Sequence, residues 1–436
     1  MLAQNHVEAL SEIVGKEGAR TGNFASSLDP GFSADNLDGD ILLLPGDVDQ
    51  VRQIVGYCAD HHIPIVPQGG LTGLSGGARS ARGQVILQTT RMNQLVDIDF
   101  LGATAWVEAG VTLQQLQEAV EPHGFSTGID LAARGTATIG GMVATNAGGT
   151  EAFRNGTMRQ RVLGLEAVLP NGELFSDMKQ VIKANEGLDI KQLFIGAEGT
   201  LGIITQVVLS LLPLEQHRAT AMFSCINALA AADALRSLRS GLGPTLLCAE
   251  IMWPDYCRTT ASQLGLENLL EFAPSNDDLF VVIDVGCPDP GSGTEILENQ
   301  LSELLETRAI SSALIAQSAR EAGDFWKIRE ESFLCDKVYP HGFWYDVSVP
   351  QVALDSYTDG LFKRVAAIDP GLKVFLFGHL GDGNLHLTIS LGHPCLELED
   401  AINRAVYEGL AEIGGSFSAE HGIGTEKAAS LAAYSD

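Results

Sequence analysis

The stretch GHLGDGNLHL, residues 378–387, sets His379 and His386 among three glycines, Asp382 and Asn384. Glycine costs about 1 kcal/mol per residue inside a helix, so the segment reads instead as a β-hairpin with Asp382-Gly383 as its tight turn. The flanking runs KVFLFGH and HLTISL carry a strand's alternation, and pairing His379 with His386 puts both imidazoles on one mixed face. Val374, Leu376, Leu385, Leu387 and Ile389 then share the opposite, apolar face. Directly opposed Cβ atoms lie about 5 Å apart, a separation from which two rings can converge on one ion or one substrate. Two hydrogen-bonded structural histidines would satisfy the same pattern, and a third ligand decides between the readings. The segment SAEHGIGTEK near the C-terminus offers Glu420 and His421 beside a glycine turn.

Glycine loops give a second chemical signal. The run IVPQGGLTGLSGGA, residues 65–78, follows a strand and places Gly at 69, 70, 73, 76 and 77. Such a loop offers a row of unobstructed backbone N–H groups, the geometry that receives a phosphate or pyrophosphate. It is neither a Walker loop, having no Gly-Lys-Ser/Thr, nor a GxGxxG fingerprint. TIGGMVATNAGG (138–149) and GAEGTLGIIT (196–205) repeat the design of small residues that let backbone approach a flat ligand. Three such loops in one domain imply one long cofactor, a dinucleotide with an aromatic ring system.

The elements that must hold these groups are legible in outline. ILLLP, then the helix-patterned DVDQVRQIVGYCADHH with Asp47 as N-cap, then IPIVP, make a β-α-β start. Strands GQVILQT, LVDID and TAWVEAG follow, and TLQQLQEAVEPHG is a helix closed by Pro122 and Gly124. The chain divides as a first domain over 1–214, a second over 215–395 with amphipathic helices and an antiparallel sheet, and a C-terminal segment over 396–436 that returns to the first. With 27 basic against 55 acidic side chains the net charge of −28 repels nucleic acid and anionic membranes, so a bound carboxylate needs a local cation. Seven scattered cysteines with no CxxC pair read as reduced, buried thiols of a cytoplasmic protein. No apolar run is long enough to span a membrane, and MLAQNHVEAL resembles neither a secretion signal nor an organelle leader. A homodimer is the default assembly.

From about Asp40 onward, PQGGLTGLSGG, DLAARGTATIGGMVATNAGG, VLGLEAVLPNG, LFIGAEGTLGIIT, GHLGDGNLHL and AEHGIGTEK together resemble the flavin-dependent oxidoreductases of the vanillyl-alcohol oxidase type. Within that family they are similar to the D-2-hydroxy-acid dehydrogenase branch, which acts on D-lactate, glycolate or D-2-hydroxyglutarate. The resemblance implies an α+β chain: a two-subdomain FAD-binding domain and an α+β cap domain with an antiparallel sheet. It implies FAD held by Pro67, Gly69, Gly70, Leu71, Thr72, Gly73, Leu74 and Ser75, then by Thr138, Gly141, Thr145, Asn146, Gly148 and Gly149, and by Glu198, Gly199 and Ile203. Residues 67–78 and 131–150 contain no His or Cys, so the implied FAD is non-covalent.

By the same resemblance His379, His386 and Glu420 hold a divalent metal at the flavin face, and two imidazoles with one carboxylate suit Zn²⁺, with Mn²⁺ or Fe²⁺ as alternatives. A chelated 2-hydroxy acid would give its hydroxyl proton to His421 and its hydride to the flavin, imidazole being the side chain that titrates nearest neutrality. Arg329 matches the arginine that takes the substrate carboxylate, and Asn384 lies near flavin and substrate or simply stabilises the turn. Electrons would pass to a separate acceptor: an electron-transfer flavoprotein, a cytochrome, a quinone or oxygen.

Two positions depart from the branch. Members that oxidise hydroxyglutarate carry lysine where this chain has Trp344, which favours a monocarboxylate here, and many carry tyrosine where it has Asn155. Relatives also continue past HGIGTEKAASLAAY with another helix and an Asn-Pro-Gly tail. Two other readings remain: a metal-independent flavin oxidase of an alcohol or sugar lactone, and a non-catalytic flavin-binding subunit.

Overall fold

The computed structural model describes residues 1–435, and they sort into two compact units. The first comprises Met1–Gly149, Asn155–Leu214 and Glu420–Leu431; the second comprises Thr150–Arg154, Glu215–Ala419 and the chain from Ala432. The stretch 396–436 is thus shared between the units rather than forming a segment of its own.

In the first unit β1 (Ala19–Thr21), β2 (Ile41–Leu43), β3 (Ile65–Gln68) and β4 (Val85–Gln88) form a sheet in the order β1-β2-β4-β3. β4 runs parallel to β2 and β3, and β1 is the antiparallel edge. Parallel strands are covered on both faces and so need continuous apolar sequence. Ile41, Leu42, Leu43, Val85, Ile86 and Leu87 are each at most 1% exposed. The crossover helix Val48–Asp60 starts at Asp47, whose carboxylate accepts the Gln50 N–H at 2.8 Å.

The next strands are β5 (Leu95–Asp99), β6 (Thr104–Glu108), β7 (Phe125–Ser126), β8 (Val162–Val168), β9 (Leu174–Asp177), β10 (Ile203–Ser210) and β11 (Leu212–Pro213). β7 pairs with β11, and the others make an antiparallel sheet in the order β5-β6-β10-β8-β9. Helix Leu113–Val120 begins in a reciprocal cap between Thr112 and Gln115, with bonds of 3.2 and 2.9 Å. The three glycine loops fall at element ends: after β3, around the short helix Ile139–Thr145, and just before β10.

The second unit is one seven-stranded sheet. Its strands are β12 (His217–Cys225), β13 (Leu246–Met252), β14 (Leu279–Cys287), β15 (Ser312–Ile315), β16 (Phe343–Ser348), β17 (Lys373–His379) and β18 (Asn384–Ser390). They run in the order β15-β12-β14-β13-β17-β18-β16, antiparallel at every step. One face, with Met222, Met252, Phe280, Val282, Phe375 and Phe377, packs on Tyr256, Phe325, Ile328 and Cys335 from three helices.

The histidine hairpin is β17–β18, and its register differs from the expected one. His379 pairs with Asn384, Phe377 with His386 and Phe375 with Thr388, a displacement of two residues. The turn takes the four residues 380–383 because their backbone groups find partners. Gly383 N–H donates to the His379 carbonyl at 3.0 Å, and Leu380 N–H to that of Ala249 at 2.9 Å. Gln351 Nε2 donates to the carbonyls of Leu380 and Gly381 at 2.8 and 3.1 Å. An even displacement preserves which face each side chain takes, so His379 and His386 still share one face.

Candidate functional site

The three glycine loops of the first unit wall a cavity of about 370 Å³. Pro67, Gly69–Ser75, Thr138, Gly141, Thr145, Gly148, Glu198, Gly199 and Ile203 line it, and so do Glu420 and His421. The glycines are steric necessities. A Cβ on Gly69 would stand 2.4 Å from Thr138 Oγ1, and one on Gly70 would stand 1.8 Å from the Thr136 carbonyl oxygen. At Gly73 the Cβ direction is open space. The first two let two loops close against each other, and the third leaves backbone bare for a ligand.

Two expected contacts are absent from the cavity wall. Asn146 holds a left-handed C-cap at φ 53° and accepts from the Thr157 hydroxyl and the Arg159 N–H at 2.8 and 3.0 Å. Gly149 N–H donates to Glu420 Oε1 at 3.2 Å. Gln68, Leu131, Met142, Gly202 and Ile204 do line the cavity, although their types gave no sign of it.

In the second unit the chemistry gathers on one sheet face around a carboxylate that sequence reasoning missed. Glu250, on β13 beside His379 in the ladder, is fully buried. Its Oε1 lies 2.8 Å from His379 Nδ1, and its Oε2 accepts Arg329 Nε and Nη2 at 2.8 and 2.6 Å. Arg329, on the helix Ala319–Glu330, is 6% exposed; its guanidinium lies 4.7 Å from the Phe377 ring centroid, and its carbonyl accepts the Tyr256 hydroxyl at 2.6 Å. The cation expected for a substrate is therefore already compensated inside the protein.

Asp346, the residue opposite His386 on β16, supplies the second missed carboxylate, with Oδ1 3.6 Å from His386 Nδ1. Each ring thus has an acid on its Nδ1 side, and the two Nε2 atoms face each other at 3.3 Å. Glu250, at hydrogen-bond distance, holds the proton on His379 Nδ1 and turns that ring's Nε2 lone pair outward, whereas Asp346 at 3.6 Å acts on His386 only as a nearby charge. Two lone pairs at this distance repel unless a cation or proton lies between them. Nitrogens about 2.0–2.1 Å from a tetrahedral zinc are themselves about 3.3 Å apart, so the donor pair fits a divalent ion. Asp346 Oδ2 also accepts the N–H of Ala419, the residue preceding Glu420 in the chain.

Asn384 is 3% exposed, and neither its Oδ1 nor its Nδ2 has a hydrogen-bond partner. It is the backbone N–H of Asn384 that secures the turn, to Asp382 Oδ1 at 3.1 Å. A buried amide left unpaired costs about 1–3 kcal/mol. Farther along the same face, Trp344 (39% exposed) meets Phe333 (53% exposed) with ring centroids 5.0 Å apart. Burial pushes the Asp336 carboxyl up to about 6, opposed by a hydrogen bond from Trp344. Asn155 has its own account, donating from Nδ2 to the Gly128 carbonyl at 3.1 Å.

A unit of one mixed and one antiparallel main sheet whose glycine loops wall a cavity, in a chain with an antiparallel α+β second unit, defines the class of flavin-binding oxidoreductases. Residues 39–177 match the FAD binding domain family, and residues 214–436 match the C-terminal domain of FAD linked oxidases. The chain belongs to these FAD-linked oxidoreductases, in the D-2-hydroxy-acid dehydrogenase branch. It is 35% identical over 391 residues to the mitochondrial D-2-hydroxyglutarate dehydrogenase of Arabidopsis thaliana, covering 89% of this chain and 68% of that protein. It is 34% identical over 388 residues to the Bos taurus protein of the same name, covering 89% and 70%. With the D-2-hydroxyglutarate–pyruvate transhydrogenase DLD3 of Saccharomyces cerevisiae the figures are 32% over 399 residues, 90% and 80%. The fold matches p-cresol methylhydroxylase with substrate bound at a TM-score of 0.74 and 18% identity, covering 98% of this chain and 90% of that one. Alkyldihydroxyacetonephosphate synthase also matches at 0.74 and 18%, covering 96% and 81%. The cofactor of the first unit is FAD.

Proposed function

We propose that the protein oxidises a D-2-hydroxy acid to the 2-oxo acid, with FAD taking the hydride, His379, His386 and Glu420 holding a divalent metal, and a separate acceptor receiving the electrons. The observation that carries the metal is the pair of Nε2 atoms at 3.3 Å, with Glu250 hydrogen-bonded to His379 Nδ1 and the Asp346 carboxylate 3.6 Å from His386 Nδ1. When bound, the metal would supply Lewis acidity toward the substrate hydroxyl and FAD a two-electron sink.

The remaining work falls to this chain's own residues. His421 takes the hydroxyl proton. The unpaired amide of Asn384 binds the substrate's carboxyl end. Glu250 keeps the Nδ1 proton of His379 in place, and Arg329 offsets the charge of Glu250. Phe377, packed beside the His386 ring at 5.2 Å between centroids, keeps water from that side.

The substrate side chain meets Trp344 and Phe333. Asp336, which Trp344 touches, is ionised above about pH 6 and repels a second carboxylate. This supports an apolar monocarboxylate in preference to D-2-hydroxyglutarate. The test is anaerobic bleaching of the flavin band with D- and L-2-hydroxy acids of both kinds, with and without chelator. Bleaching by apolar D-acids that chelator abolishes is the expected result. Bound flavin that no hydroxy acid reduces refutes the function, and chelator-resistant bleaching refutes the metal.

A further inference from the structure

The C-terminal loop that carries Glu420 and His421 is held in the first unit by a residue with a strained backbone. Glu198 adopts φ 50°, the left-handed region that glycine occupies freely and other residues seldom do. It lies between Gly196 at φ 80° and Gly199 at φ 77°, so glycine was available to this local sequence and is not used at 198. Strain of this kind persists where the side chain has a task.

The task is visible in the bonds. The Glu198 carboxylate accepts the N–H of Ile423 at 3.1 Å and that of Gly424 at 3.1 and 3.2 Å. Gly422 sits at φ 77°, and a Cβ there would come within 2.3 Å of Glu198 Oε1, so another residue would be strained and would displace the carboxylate. Glu198 N–H donates to the Ala144 carbonyl at 2.8 Å, which ties the strained residue to the cavity-lining helix Ile139–Thr145. The Ser75 hydroxyl donates to the carbonyl of His421 itself at 2.6 Å. The Ser75 carbonyl accepts from Thr425 and Glu426, each at 3.1 Å. The chain from the His421 carbonyl to Glu426 is therefore held by two residues of the cofactor wall.

A bare carboxylate in a cavity that receives a pyrophosphate would repel it. Turned into two backbone N–H groups, the same charge is solvated by the loop and becomes a clamp. We propose that Glu198 is a positioning residue for His421: its carboxylate, assisted by Ser75, locks residues 421–424 so that the imidazole is placed for proton transfer. This rests on the reading of His421 as the proton acceptor.

The test uses Glu198→Gly, which removes both strain and carboxylate, and Glu198→Gln, which keeps the side-chain length. In flavin-free protein, amide exchange of the peptide spanning Ile423 and Gly424 should accelerate at least about tenfold in both variants. In flavin-saturated protein, the limiting rate of flavin reduction should fall about 10- to 100-fold, with half-saturation by substrate changed less than about threefold. Added to His421→Asn, Glu198→Gly should cost less than about a further twofold. Unchanged exchange with an unchanged limiting rate overturns the proposal. So does a loss of FAD affinity with a wild-type limiting rate at saturating FAD, which would make Glu198 a cofactor ligand. If His421→Asn alone reduces flavin at the wild-type rate, the acid–base reading fails, and the exchange data still decide whether Glu198 holds the loop.

Discussion

Replacing Glu250 by glutamine deletes one charge from the centre of the second unit while keeping its shape. The carboxylate is fully buried and bonded on both oxygens, at 2.6–2.8 Å to Arg329 and 2.8 Å to His379. Breaking one partner of such a pair costs about 3–5 kcal/mol, because Arg329 is left charged and uncompensated at 6% exposure. For a cooperative unit of roughly 200 residues each kcal/mol lowers the melting temperature by about 2–4 °C, so the fall should be about 6–20 °C. The amide is also a poorer acceptor for the Nδ1 proton, and loss of such an outer partner lowers metal affinity about 10- to 100-fold. Calorimetric melting and zinc titration read the two effects separately. Adding Arg329→Met to Glu250→Gln should recover stability, since no orphaned charge remains, while zinc affinity stays low. Melting within about 2 °C of wild type, with zinc affinity unchanged, would refute the reasoning.

Three further outcomes follow from other sites. Asp336 has a carboxyl pushed up to about 6 in the fold, above its ordinary value, so the folded protein binds more protons than the unfolded chain between about pH 4 and 6. Stability from this group falls as pH rises through that window; Asp336→Asn should abolish the slope and, discounted for solvent screening, gain about 1 kcal/mol at pH 8 in chemical melts. Trp344→Lys should lower the half-saturating D-2-hydroxyglutarate concentration roughly tenfold in flavin-reduction assays, by giving a second carboxylate a charged partner. Gly70→Ala drives a Cβ to 1.8 Å from the Thr136 carbonyl, so the purified variant should retain little flavin, seen as loss of the visible band.

What the sequence revealed and what it hid divide along the range of the interactions involved. The glycine loops were legible because closing two backbones on a flat ligand admits few residue types, and Gly69, Gly70 and Thr138 lie within single short runs. The histidine face was legible because strand parity survives an even slip; the register was not, because Gln351 and Ala249 anchor the turn from elsewhere in the chain. Glu250 and Asp346 were missed because their partners are 129 and 40 residues away. The signal available was a lone acid in the apolar run TLLCAEIMW. Arg329 was seen as a cation, but its charge had already been answered by that same acid.

The clamp between Glu198, Ser75 and the loop at 421–426 has a consequence in the order of synthesis. Residues 1–214 leave the ribosome with all three sheets of the first unit complete, yet the piece that finishes its cavity comes only after the seven-stranded sheet of the second unit has been made. At roughly 5–20 residues per second, about 10–40 s separate the two. Through that interval the glycine loops wait with the Glu198 carboxylate and the Ser75 hydroxyl unanswered, and the second unit has time to fold. The arrival of Glu420 and His421 then gives Glu198 and Ser75 their partners, so this wall of the cavity is completed only after residues 215–419 have been made.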